Sequence, residues 1–105
     1  MKIKVKYHTD ILPLEMNEKG DWIDLRAAED VVLHPGFSYR IPLGISVELP
    51  EGYEAHVVPR SSTFKNWGII QTNSVGVIDN SYCGDDDIWM MPVDATRLAK
   101  IKKND

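Results

Sequence analysis

From Phe37 to Leu49 every second residue is apolar: Phe37, Tyr39, Ile41, Leu43, Ile45, Val47 and Leu49 share one parity, a spacing that fits a strand and no helical period. The pattern predicts one long or bent strand, or two in succession. Pro42 and Gly44 within it favour an edge position or a bulge, because proline offers no ladder donor and glycine tolerates a kink. Lys2 to Tyr7 alternates charged and apolar residues, which puts Ile3, Val5 and Tyr7 on one face and the lysines in water. His34-Pro35-Gly36 and Pro50-Glu51-Gly52 are turn signals, and the alternation resumes at Tyr53, Ala55 and Val57, so the second turn reads as the bend of a hairpin. Short apolar runs at Ile69-Ile70, Val75 to Ile78 and Ile88 to Val93, bounded by Asn, Asp, Gly and Pro, complete a strand set of the kind found in sandwiches and barrels.

No stretch carries a sustained amphipathic helix. One short helical turn is predicted from Ser62 to Trp67, with Ser61 or Ser62 as N-cap and Gly68 as the left-handed residue that ends it. At 105 residues the chain makes a single domain over 1–105, since two halves would each be too small to bury a self-sufficient core. With one cysteine no internal disulfide is available, so oligomerisation is the remaining support for a small core.

A net charge of −4 and a pI near 5.3 exclude a protein that coats a polyanion, which needs clustered Lys and Arg to neutralise many phosphates. A nucleotide monomer needs only a few cations and amides in one pocket and remains compatible with this charge. The lone Cys83 and the lack of a signal-like apolar segment at the N-terminus point to the cytoplasm, and no apolar run approaches the roughly 20 residues of a membrane span.

Three clusters set polar groups beside apolar strands: Asp24-Leu25-Arg26-Ala27-Ala28, Pro59-Arg60-Ser61-Ser62, and Asn73 to Asp85. Arg60-Ser61-Ser62 suits a phosphate cradle, with a guanidinium fork and hydroxyls on the oxygens; taken in isolation it suits a capped helical turn beside a solvated arginine better. In the third cluster Gly76 and Gly84 bracket a strand ending in Asp79, followed by Asn80-Ser81, which suits a hairpin turn, and by Tyr82. Asp79 is either a general base for a water or an aspartate that closes a turn. His8, His34 and His56 lack metal-ligand spacing, the Asp85-Asp86-Asp87 run reads as a solvated loop, and Cys83 has no activating partner in sequence.

Gly76-Val77-Ile78-Asp79-Asn80-Ser81-Tyr82-Cys83-Gly84-Asp85 resembles the third motif of the dUTP pyrophosphatase (dUTPase) family, with Asn73 at the matching spacing upstream. Pro59-Arg60-Ser61-Ser62 resembles the second motif and Asp24-Leu25-Arg26-Ala27 the first, in the family's order. The resemblance implies an all-β jelly-roll or distorted-barrel domain, assembled as a homotrimer with sites between subunits, that splits dUTP into dUMP and pyrophosphate. Residue by residue it makes Asp79 the catalytic base for the attacking water. It gives Asn73 and the backbone of Gly76, Val77 and Ile78 the uracil edge, and Tyr82 the deoxyribose. It sets Arg60, Ser61 and Ser62 on the phosphates and uses Asp24 to place Mg²⁺, mostly through water.

The family's glutamine-containing fourth motif and glycine-rich closing arm are not found; Lys102 to Asp105 resembles the lead-in to the fourth motif. The resemblance therefore implies a domain that is C-terminally incomplete relative to the family, with weak or absent turnover. Two other readings stand beside the enzyme: a deoxyuridine-nucleotide-binding or regulatory module without effective catalysis, and a relative of the dCTP deaminases, which share the Arg-Ser-Ser signal.

Overall fold

A computed structural model of the protein describes residues 2–15 and 22–105. Nine short strands carry the fold: β1 (Lys4–Tyr7), β2 (Val31–Leu33), β3 (Ser38–Pro42), β4 (Ile45–Glu48), β5 (Ala55–Val57), β6 (Ile69–Gln71), β7 (Gly76–Ile78), β8 (Met90–Ala95) and β9 (Ala99–Ile101). One helix, α1 (Thr63–Trp67), and one 3₁₀ turn (Asn80–Tyr82) interrupt them. All ladders are antiparallel: β1 pairs with β4, β2 with β9, β5 with β7, and β3-β8-β6 form a three-stranded sheet. The all-β expectation holds, with α1 as the one α-helical turn among the described residues.

The long alternating run is two strands. β3 pairs with β8 as an edge strand, and Pro42 lies opposite Met90 at its end, where a missing N–H is tolerated. Leu43 and Gly44 then turn the chain, so that β4 leaves that sheet and pairs with β1. Gly44 adopts φ 70°, and a Cβ there would meet Thr9 Cγ2 at 2.7 Å and Ala28 Cβ at 3.0 Å. The parity survives the switch: Ile41, Leu43, Ile45 and Val47 are all buried, while Phe37 at the start of the run is 64% exposed.

Two packed clusters follow from this change of sheet. Ile11, Ala28, Leu43, Ile45, Val47, Val57 and Trp89 make one; Ala27, Leu33, Ile41, Ile69, Val93, Ala95 and Ile101 make the other, with half-buried Met91 packed against both.

The hairpin expected across Pro50-Glu51-Gly52 does not form. The chain turns there, but β4 pairs with β1 along one edge while Trp89 N donates to Ile45 O at 2.8 Å on the other, and β5 pairs with β7 instead. The Val75 to Tyr82 segment is likewise no hairpin: β7 runs into the 3₁₀ turn, and its ladder partner is β5.

Helix α1 matches its sequence signals, with Ser62 at the N-cap and Gly68 left-handed at φ 63°, ψ 29°. The Ser62 hydroxyl makes no capping hydrogen bond, and Arg97 covers the other end by donating to the Lys65 carbonyl at 2.6 Å. The last residues dock on the first cluster of polar residues: Ala27 N donates to Asp105 O at 2.7 Å and Asn104 N to Ala27 O at 2.8 Å. No helix among the described residues is long and apolar enough to cross a membrane.

Candidate functional site

The residues singled out in sequence fall into two cavities. The first, about 490 Å³, is lined by Trp22 to Ala27, by His56 to Thr63, and by Trp67 and Asp105 among others. It brings together Asp24, Arg60, Ser61 and Ser62, the residues expected to hold phosphate and metal. Arg60 stacks over the Trp67 ring at 5.9 Å, so its guanidinium is aimed by the helix that follows it. Arg26, absent from the expected set, lines the same cavity with its Nε buried and unpaired among the described residues.

The second cavity, about 500 Å³, is lined by Val57, Gln71, Asn73, Gly76, Val77, Ile78, Asp79, Ser81, Tyr82, Trp89 and their neighbours. It collects Asn73, the β7 backbone, Asp79 and Tyr82. Among the described residues β7 is paired on one edge only, so the other edge offers its N–H and C=O groups to a planar ligand. Tyr82 is anchored by its hydroxyl, which donates to Ile88 O at 3.1 Å, and Asn80 ties the 3₁₀ turn to the β4–β5 connection by donating to Leu49 O at 3.3 Å.

Asp79 is the N-cap of the 3₁₀ turn, as the turn-closing reading of its sequence expects. Oδ1 accepts from the Ser81 backbone N–H at 2.9 Å and from the Ser81 hydroxyl. Both bonds end on one oxygen, and Oδ2 has no partner among the described residues. The Ser81 hydroxyl first, then its amide, hold the Asp79 carboxyl below the ordinary carboxylate value. The group is therefore ionised throughout the neutral range, with one oxygen fixing its orientation and the other open to a water.

Within one chain the two cavities share Val57 alone among their lining residues. The three clusters thus form two half-sites and not one continuous groove. Gln71 was not singled out in sequence, and Trp89 was expected only as a core or subunit contact; both are buried in the wall of the second cavity. The signal for Gln71 was parity, since a glutamine two residues after the core residue Ile69 occupies a position that faces inward.

A small all-β domain with two cavities, one lined by Asp24, Arg60, Ser61 and Ser62 among mostly apolar residues and the other bordered by a free strand edge, is the class defined by fold and site. The dUTPase family profile matches residues 14–105. The SPbeta prophage-derived deoxyuridine 5'-triphosphate nucleotidohydrolase YosS of Bacillus subtilis is 61% identical over 107 residues, covering 100% of this chain and 75% of that protein. A deoxyuridine 5'-triphosphate nucleotidohydrolase of Leifsonia xyli is 39% identical over 83 residues, covering 79% of this chain and 55% of its own length. Among solved structures, the dUTPase from phage phi11 of S. aureus superposes with a TM-score of 0.80 at 22% identity, over 100% of this chain and 84% of that one. A mutant of the phi11 enzyme described for its coordination of a structural Mg(II) ion superposes at 0.79 with 25% identity, over 94% and 63%. The chain belongs to the dUTPase family. It spans three quarters of the Bacillus protein and about half of other curated relatives, such as the one from Thermoanaerobacter at 51%.

Proposed function

We propose that this chain hydrolyses dUTP to dUMP and pyrophosphate, with the nucleoside in the second cavity and the phosphates reaching the first. The observation that carries the reading is Asp79, an ionised carboxylate fixed through Oδ1, with Oδ2 open beside Asn73 and Tyr82 in one cavity. Oδ2 orients a water and takes its proton as the water oxygen bonds to the α-phosphorus. The bridging bond to the β-phosphate breaks, and pyrophosphate leaves with the electron pair. Asn73 and the free edge of β7 pair with the uracil edge. Cytosine presents an amino donor where uracil has a carbonyl, which leaves groups unpaired in a site built for one of them. The Tyr82 ring, pinned by Ile88, lies under the deoxyribose and leaves no room for a 2′-hydroxyl.

Ser61, Ser62 and Arg60 hold the phosphates, and the open Ser62 hydroxyl favours that role. The residues present fit Mg²⁺. Among the described residues no group of three or more His, Cys, Asp or Glu side chains is placed to cage a metal. Asp24 lies instead in the same cavity as the serine hydroxyls, which suits an ion that keeps several waters and takes its remaining ligands from substrate phosphates. When bound, Mg²⁺ neutralises the phosphate charge. One nucleotide needs both half-sites in one groove, which a single chain does not provide. This supports sites between subunits, and the family resemblance makes the assembly a homotrimer. The protein then works in the cytoplasm on the free nucleotide, with neither nucleic acid nor membrane as partner.

A pyrophosphate-release assay with Mg²⁺ tests the reading: dUTP reacts in preference to dCTP, dTTP and UTP, and equal turnover of all four contradicts it. Binding of dUMP without pyrophosphate release marks a binding module instead. Replacing Tyr82 by Ala narrows the dUTP over UTP preference by about tenfold, the scale of discrimination one small group supplies in a pocket; an unchanged ratio removes the ring from sugar selection.

The depressed carboxyl of Asp79 also sets a pH profile. The charged form is favoured, so the base is lost, and kcat/KM with it, only as pH falls below the ordinary carboxylate range. Ser81→Ala removes the larger of the two causes and moves the acid limb upward. A limb that stays in place in this variant shows that the limb reports another group.

A further inference from the structure

Gln71 ends β6 with its side chain only 7% exposed, on the inward face shared with Ile69. Its Nε2 donates to Val57 O at 2.8 Å and to Asn73 Oδ1 at 2.8 Å. A backbone carbonyl only accepts, so the contact with Val57 requires the nitrogen of the Gln71 amide on that side. The second hydrogen of the same nitrogen then falls on Asn73, which must answer with its oxygen. The Asn73 nitrogen is consequently turned toward β7, where a Cβ built on Gly76 would lie 3.4 Å from Nδ2. Asn73 is exposed and lines the cavity. One strand carbonyl thus decides, through two amides, which end of Asn73 faces a ligand.

Gln71 Oε1 is buried with no partner among the described residues. A buried acceptor left unpaired is destabilising, so an apolar residue of the same length would pack there without that cost. Two directed donors are what the apolar residue lacks. The geometry points to Gln71 as a positioning residue for base selection: it holds Asn73 as a hydrogen-bond donor to the pyrimidine, favouring a carbonyl at that edge over an amino group. This rests on the reading that Asn73 contacts the base.

The test is calorimetric binding of dUMP and dCMP to the full chain, to Gln71→Met, to Asn73→Ala and to the double variant. Gln71→Met weakens dUMP binding about tenfold and leaves dCMP within a factor of about two, so the selectivity ratio falls. In the double variant dUMP binds no more weakly than to Asn73→Ala alone, since both substitutions remove one interaction. If Asn73→Ala leaves the ratio unchanged, Asn73 does not read the base and the underlying reading fails. If Asn73→Ala lowers the ratio and Gln71→Met does not, that reading stands and the positioning role is overturned. Should Gln71→Met not fold, NMR of the unsubstituted protein decides: slow exchange of both Gln71 side-chain amide protons before nucleotide is added, with the Asn73 side-chain amide shifting on dUMP addition, supports the relay. Fast exchange of those Gln71 protons overturns it.

Discussion

Asp79→Asn lowers kcat for dUTP by about 10²–10⁴-fold, the range a positioned general base contributes, while dUMP affinity stays within a factor of a few. The asparagine keeps an oxygen for the Ser81 amide and hydroxyl, so the 3₁₀ turn and the β7 edge are preserved. It places an amide nitrogen where Oδ2 stands, and that nitrogen cannot take a proton from water. Pyrophosphate release and calorimetry measure the two effects separately. Loss of dUMP binding in step with turnover assigns Asp79 to the shape of the pocket and not to the chemistry.

Gly44→Val destabilises the fold by about 2–5 kcal/mol, from about 1–2 kcal/mol for a β-branched residue held at positive φ and about 1–3 kcal/mol for overpacking against Thr9 and Ala28. In a domain of this size that lowers the melting temperature by roughly 10–20 °C. Gly44 is where the chain passes from the β3-β8-β6 sheet to the β1-β4 pair, so strain there acts on both packed clusters. Urea unfolding with an unchanged slope and a lowered midpoint gives the expected result; a midpoint equal to that of the parent protein removes Gly44 as the hinge.

The strands were legible because the apolar parity of Ile41, Leu43, Ile45 and Val47 is unbroken and all four are buried, although Ser46 on the opposite parity is buried as well. Helix α1 was legible from Gly68, whose left-handed conformation its sequence position required. Strand partners were not legible. Pro50-Glu51-Gly52 does turn the chain, but local turn chemistry says nothing of which distant strand each arm meets: β4 ladders with β1 and β5 with β7.

The candidate site divides in the same way. Resemblance to the family's motifs, and not composition or periodicity, singled out Asp79, Tyr82 and Asn73, which the fold gathers in one cavity, and Asp24, Arg60, Ser61 and Ser62, which it gathers in another. Their separation within one chain depends on tertiary placement, which no spacing encodes. Gln71 was visible only as a polar residue at an inward parity, and its consequence for Asn73 needed the position of the Val57 carbonyl.

A crystal structure of the protein with a nonhydrolysable dUTP analogue and Mg²⁺ examines the central claim most directly. The expected result is uracil against Asn73 and the free edge of β7, the deoxyribose over Tyr82, and the phosphates beside Arg60, Ser61 and Ser62 of a neighbouring copy. A nucleotide held within the first cavity of a single chain, with the pyrimidine away from β7, contradicts it.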